Sequence, residues 1–225
     1  MKPIVAILSI DLVPLDEVLP VLTEHVEEER VTHISLLGNM SREEIIADFT
    51  PSAGEEQLVV NLREQGLMYV GRNKIFDAVQ NLVSLLDKLG YEVILLLSTL
   101  PLSGLAARSA IVLEPERIVP PLIASIVAGH QAGIILSVPD LIPFQEKKWR
   151  HLEKRPFYEI TDPGGNPDDA LLRAGKKLVD RGATVIVLDC VEYLQKHRDF
   201  LQKQLDIPVL LSNTLIIKMA AELLA

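Results

Sequence analysis

The single cysteine, Cys190, follows the apolar run Val185-Ile186-Val187-Leu188 with only Asp189 between. A helix is expected to begin near Tyr193 or Leu194, which sets the thiol where a strand gives way to a helix N-terminus. Free amide groups and the positive end of the helix dipole there lower a thiol's pKa below about 8.5, so that it acts near neutrality as nucleophile or as proton donor and acceptor. Ser98-Thr99 closes a comparable run, Val93 to Leu97. Hydroxyls and backbone amides at such a position can hold a carboxylate or a developing enolate, the work of an oxyanion hole. Ser9, Ser137 and Ser212-Asn213 end three further runs, and Arg72 directly follows Gly71. The Arg72 guanidinium can clamp a carboxylate through two parallel hydrogen bonds. Asp11 and Asp189 add carboxylates able to orient a partner or take a proton. Together these groups suit a small carboxylate-bearing ligand.

Each group also has a plainer reading. A free cysteine is commonly a small buried hydrophobe, Ser98 and Thr99 can serve the first turn of a following helix, and Arg72 fits an exposed basic loop equally well. Asp11 reads as a helix cap. His197 lies about two helical turns beyond Cys190 and is expected at the surface. The five histidines, at 25, 33, 130, 151 and 197, show no ligand spacing, so no metal is expected. No glycine-rich phosphate or dinucleotide fingerprint occurs, so no cofactor is expected. The stretch 162–169 reads as a turn leading into a helix cap.

Strand-end chemistry needs strands. Short β-branched or leucine-rich runs, apolar on both faces, alternate with longer segments of helical period, the pattern of buried parallel strands in an α/β protein. Strands are expected at 4–9, 31–37, 67–71, 93–97, 110–113, 133–137, 157–160, 184–188 and 208–211. Ser41 with Glu44 forms a capping box, and Gly90 and Gly182 stop helices whose last turns carry Lys88 and Arg181. Two internal echoes stand out. Ile7-Leu8-Ser9-Ile10-Asp11-Leu12-Val13-Pro14 returns, with one inserted proline, as Ile135-Leu136-Ser137-Val138-Pro139-Asp140-Leu141-Ile142-Pro143, and 91–98 is answered by 183–190. They suggest two related α/β lobes, with ligands bound outside the carboxyl ends of the strands.

Composition narrows the classes. The chain has 225 residues, 48% of them hydrophobic, and Lys+Arg 22 against Asp+Glu 31 leaves a formal charge of -9. That profile belongs to a globular protein and argues against nucleic acid as a partner. A lone cysteine fits a reducing compartment, so the cytoplasm is expected. The apolar run 4–10, broken by Asp11, is too short for a signal-peptide core, and prolines interrupt every stretch that approaches membrane-helix length. A homodimer is the default for a soluble chain.

The sequence resembles the AroM family over essentially its whole length. The resemblance is carried by 90–99 (GYEVILLLST), 113–122 (LEPERIVPPL), 187–190 (VLDC) and 202–213 (QKQLDIPVLLSN). More remotely, the layout is similar to the aspartate/glutamate racemase superfamily, which implies two pseudo-symmetric lobes with parallel sheets. On that pattern the first lobe is 1–118 plus 208–225 and the second is 119–207. The superfamily's racemases use one cysteine per lobe, on opposite faces of a planar carbanion. Here Cys190 matches the second cysteine, and Ser98 stands where the first would be. The strand-end groups, taken with the resemblance, point to a cofactor-independent isomerase or lyase acting on a small carboxylic acid, with Cys190 catalytic and Ser9, Arg72, Ser98, Thr99, Ser137, Ser212 and Asn213 holding substrate. The alternative is a non-catalytic metabolite-binding or regulatory protein that uses the same cleft between the lobes.

Overall fold

The computed structural model describes residues 4–13, 15–62, 65–161 and 167–225. The chain divides into two compact units, Met1–Glu114 with Ile217–Ala225, and Pro115–Ile216. The first unit contains β1 (Val5–Ser9), α1 (Leu15–Thr23), β2 (Val31–Ser35), α2 (Arg42–Phe49), β3 (Gln57–Leu62), β4 (Gly66–Gly71), α3 (Arg72–Leu89), β5 (Val93–Leu97) and β6 (Ile111–Leu113). The second contains α4 (Pro115–Ile126), β7 (Ala132–Leu136), α5 (Ile142–Lys148), β8 (Phe157–Ile160), α6 (Pro167–Asp180), β9 (Val185–Leu188), α7 (Gln195–Leu205) and β10 (Val209–Leu211), and α8 (Ser212–Glu222) begins in it.

Each unit is built on a four-stranded parallel sheet, ordered β2-β1-β5-β6 in the first and β10-β9-β7-β8 in the second. Taken in order of appearance, both sheets run second, first, third, fourth. The two sequence echoes fall on the first strands, β1 and β7, and on the third strands, β5 and β9. All four are buried along their length, which is why they read as apolar on both faces.

The helices follow from local signals. Along α3, Ile75, Val79, Val83 and Leu86 repeat at helical spacing and all are buried; sinking each such side chain contributes roughly 1.5–3 kcal/mol. Gly90 ends the helix in the left-handed region at φ 88, a conformation costly for a residue with a Cβ. The Ser41–Glu44 capping box opens α2.

Three expectations are corrected. Gln57–Leu62 was not foreseen as a strand, and β4 does not join the parallel sheet. β3 and β4 form an antiparallel ladder of their own, because a connection as short as 63–65 cannot return a strand in parallel, which takes a crossover of about a dozen residues. No helix follows β5; residues 98–110 cross to β6 without regular structure. The lobe boundaries also move. β10 is hydrogen-bonded to β9, with Val209 opposite Ile186, so 208–216 belong to the second unit, and the earlier division falls at Glu114/Pro115. The residues before Ile4 and most of the expected turn, 162–166, lie outside the described residues.

Candidate active site at the edge of the second sheet

Side chains alternate between the two faces of a strand. Ile135, Ile186 and Leu188 share a core cluster with Leu171 and Leu178 of α6 and Leu201 of α7, and the cluster also takes in Cys190 and Tyr193. Ser137, two residues past Ile135, and Cys190, two past Leu188, leave the sheet on this α6/α7 face. Ile135 pairs with Leu188, so the register carried two residues further sets Ser137 level with Cys190. The Ser137 hydroxyl hydrogen-bonds the thiol, and the Cys190 Sγ points its proton at Glu192 Oε2, 3.9 Å away.

This thiol is not an activated thiolate, which corrects the expectation of a lowered pKa. Cys190 is 6% exposed, and burial pushes its pKa up to about 12, with the charges of Glu192 and Asp189 adding to the rise. The helix dipole does not offset this, because α7 starts only at Gln195 and its leading Leu194 N–H is taken by His197 Nδ1 at 3.0 Å. His197 is itself buried at 4% exposure, not at the surface as expected.

The loop carrying the thiol is pinned from several sides. Tyr193 N–H donates to the Cys190 carbonyl at 3.3 Å, and the Tyr193 hydroxyl donates to the Thr161 carbonyl at 2.8 Å. Asn213 Nδ2 donates to the carbonyls of Val191 and Tyr193 at 3.1 and 3.0 Å, and Ser212 Oγ donates to the Leu188 carbonyl at 3.1 Å. Ser212 and Asn213, expected to hold substrate, thus spend these donors on the protein's own backbone. Thr161 was missed. It follows β8, its N–H joins Leu136 at 2.9 Å, it is 5% exposed, and its Oγ1 is buried without a hydrogen-bond partner. Its place one residue past a correctly expected strand is the signal that also picked out Ser137.

In the first unit, Ser9 and Ser98 close the neighbouring strands β1 and β5. Ser9 Oγ donates to the Asp11 carbonyl and lies 2.8 Å from His33 Nε2, an imidazole whose pKa is lowered by burial. Ser98 Oγ accepts from Leu100 N–H at 3.1 Å, so it serves a loop amide, not a helix. Thr99 beside it is partly buried. Arg72 opens α3, with Nε 3.4 Å from Glu56 and Nη2 donating to the Pro101 carbonyl at 3.4 Å. The structure therefore gathers Ser137 and Cys190 with Thr161 in one unit, and Ser9, Ser98 and Arg72 around the ends of β1, β4 and β5 in the other.

On the opposite face of the second sheet, Asp189 Oδ2 accepts from Lys148 Nζ at 2.6 Å, with side-chain exposures of 1% and 7%. This buried pair joins the end of β9 to the end of α5. The sequence reading singled out Asp189 but not Lys148.

A family model described as AroM protein matches residues 5–224. The chain belongs to the AroM family. No curated protein matches it by sequence. Among solved structures, unliganded arylmalonate decarboxylase is similar at TM-score 0.57 and 14% identity, over 99% of this chain and 93% of that one. The aspartate racemase of Picrophilus torridus is similar at TM-score 0.56 and 12% identity, over 99% and 94%. A glutamate racemase isoform from Bacillus anthracis is similar at TM-score 0.59 and 13% identity, over 100% and 82%. These likenesses establish a racemase-like α/β fold for this member of the AroM family. Among the described residues, no helix is long and apolar enough to cross a membrane.

Proposed function

We propose that the chain is a cofactor-independent lyase or isomerase acting on a small carboxylic acid, with the Cys190 thiol as the acid that delivers a proton to the carbon beside the carboxylate. The observation that carries this reading is one thiol, the Ser137 hydroxyl bonded to it and the unpartnered Thr161 hydroxyl, all at the carboxyl edge of the second sheet. That edge is where open parallel sheets bind ligands. Similarity of fold to a decarboxylase and to racemases supports it.

A thiol raised to about 12 is protonated at neutral pH, so it suits a donor and not a resting nucleophile or base. In the proposed step, the bond from the α-carbon to a second carboxylate breaks, that carboxylate departs as carbon dioxide, and the electron pair stays behind as an enediolate. The S–H proton passes to that carbon, and the thiolate regains a proton from water. Ser137 and Thr161 hydroxyls face the developing oxyanion, and Ser212 and Asn213 act as positioning residues through the loop they pin. Two-way racemisation needs a second acid-base group. On the racemase pattern that the resemblance implies, Ser98 of the first unit corresponds to that group, and a serine does this work only with a base to activate it. The lyase direction is therefore favoured. The lone thiol and its exchangeable proton fit a reducing cytoplasm.

The burial of Cys190 also favours a second reading, a non-catalytic protein that binds a small carboxylate. The two separate in one experiment. Small carboxylic acids bearing an α-hydrogen or a second carboxyl group are incubated with the protein in D2O and followed by NMR. Solvent-derived deuterium at the α-carbon that disappears in Cys190→Ala supports the enzyme; saturable binding without incorporation, retained in Cys190→Ala, supports the binder.

A further inference from the structure

Among the described residues, Asp189 Oδ1, Glu116 Oε2 and the Tyr158 hydroxyl are buried without a hydrogen-bond partner, and they belong to the face of the second sheet away from Cys190. Tyr158 is level with Ile134, which is level with Val187; Asp189 lies two residues past Val187 and so shares that face. Lys148 of α5 reaches Asp189 there. Glu116, in the first turn of α4, feels the charges of both Lys148 and Asp189, and Tyr158 feels that of Asp189. Four elements thus converge on one polar cluster, and Asp189, 1% exposed, aims an unpartnered carboxylate oxygen into it.

We propose that this cluster is a binding site for the primary ammonium group of a small organic amine. Three buried oxygens, each able to accept, await donors, and an ammonium group has three N–H donors. The charge fits as well. Lys148, 2.6 Å from Asp189, also acts on Glu116, so two carboxylates share one buried cation and the cluster has room for a second positive charge. The other cations near it, Lys147 and Arg150 at the end of α5, and Arg155 near Tyr158, are exposed to solvent. An anion would meet two carboxylates, and a water would leave the charge unbalanced. The site is distinct from the thiol's face and does not rest on the proposed reaction.

The test titrates the full-length protein with methylammonium chloride, against tetramethylammonium chloride and potassium chloride at matched ionic strength, following Tm and the heat of binding. A saturable rise in Tm with methylammonium alone is expected. Glu116→Gln and Tyr158→Phe, both of which leave the Lys148–Asp189 pair intact, should each weaken the affinity by roughly threefold to tenfold, the share of one hydrogen bond, while Cys190→Ala leaves it unchanged. Affinity should also rise with pH as Glu116, whose pKa burial raises, loses its proton. Equal shifts with all three salts, or a methylammonium response untouched by both cluster variants, would overturn the proposal.

Discussion

Ser98 and Cys190 occupy the same place in two sheets of the same strand order: each follows the third strand, β5 or β9, in a segment repeated between 91–98 and 183–190. One position keeps a hydroxyl that accepts from a loop amide, and the other keeps the chain's one thiol. On the proposed reading, a single acid-base sulfur would deliver a proton but not exchange one across two faces of a carbanion. The consequences of that difference can be measured.

The thiol should respond late to pH. Iodoacetamide should alkylate native Cys190 slowly through pH 10, and at an ordinary rate once urea exposes it. The same burial ties stability to pH. The folded thiol keeps its proton up to about 12 against an ordinary value of 9.0, so above pH 9 the unfolded chain holds fewer protons than the folded one. Stability is then fully present below pH 9 and falls as pH rises, by up to about 1.4 kcal/mol per pH unit. Urea unfolding at pH 8 and pH 10 should show this loss in the wild type and a smaller one in Cys190→Ala. Equal losses would contradict the assignment.

The Lys148–Asp189 pair should be costly to break on one side only. Lys148→Met leaves the Asp189 carboxylate buried and uncompensated, and should cost about 3–5 kcal/mol. Adding Asp189→Leu to that variant should restore much of the loss, because the second change removes the stranded charge. A double variant no more stable than Lys148→Met alone would show that the pair's geometry, and not its charge balance, holds α5 to β9.

Thr161→Val separates folding from function. The Thr161 hydroxyl is buried with no partner, so replacing it with a methyl should leave stability unchanged or raise it by about 1 kcal/mol. Ligand affinity or turnover should nonetheless fall roughly tenfold, since the lost hydroxyl is proposed to face the oxyanion. A variant that keeps both stability and activity removes Thr161 from the site.

Much of this architecture is legible in the chain because central parallel strands are apolar on both faces, and β5 and β8 are legible to the residue. The β3–β4 hairpin was not, because Leu58-Val59-Val60 is too short to declare a strand, and Gly66 to Gly71 read alone carries no sign of its partner's direction. Ser137 and Cys190 were reachable from strand ends, and Thr161 by the same logic. Lys148, Glu116 and Tyr158 were not, because each comes from a different element and meets Asp189 only in space. The thiol's pKa was misread for a similar reason: position after a strand is visible in sequence, whereas the depth of burial and the late start of α7 are not.

The most direct test of the central claim is deuterium delivery. Small carboxylic acids that the wild-type protein converts in D2O should gain one solvent deuterium at the α-carbon, and Cys190→Ala, shown to be folded by its cooperative unfolding, should fail to convert them. Conversion by Cys190→Ala at the wild-type rate would contradict the account and show that the proton comes from another group.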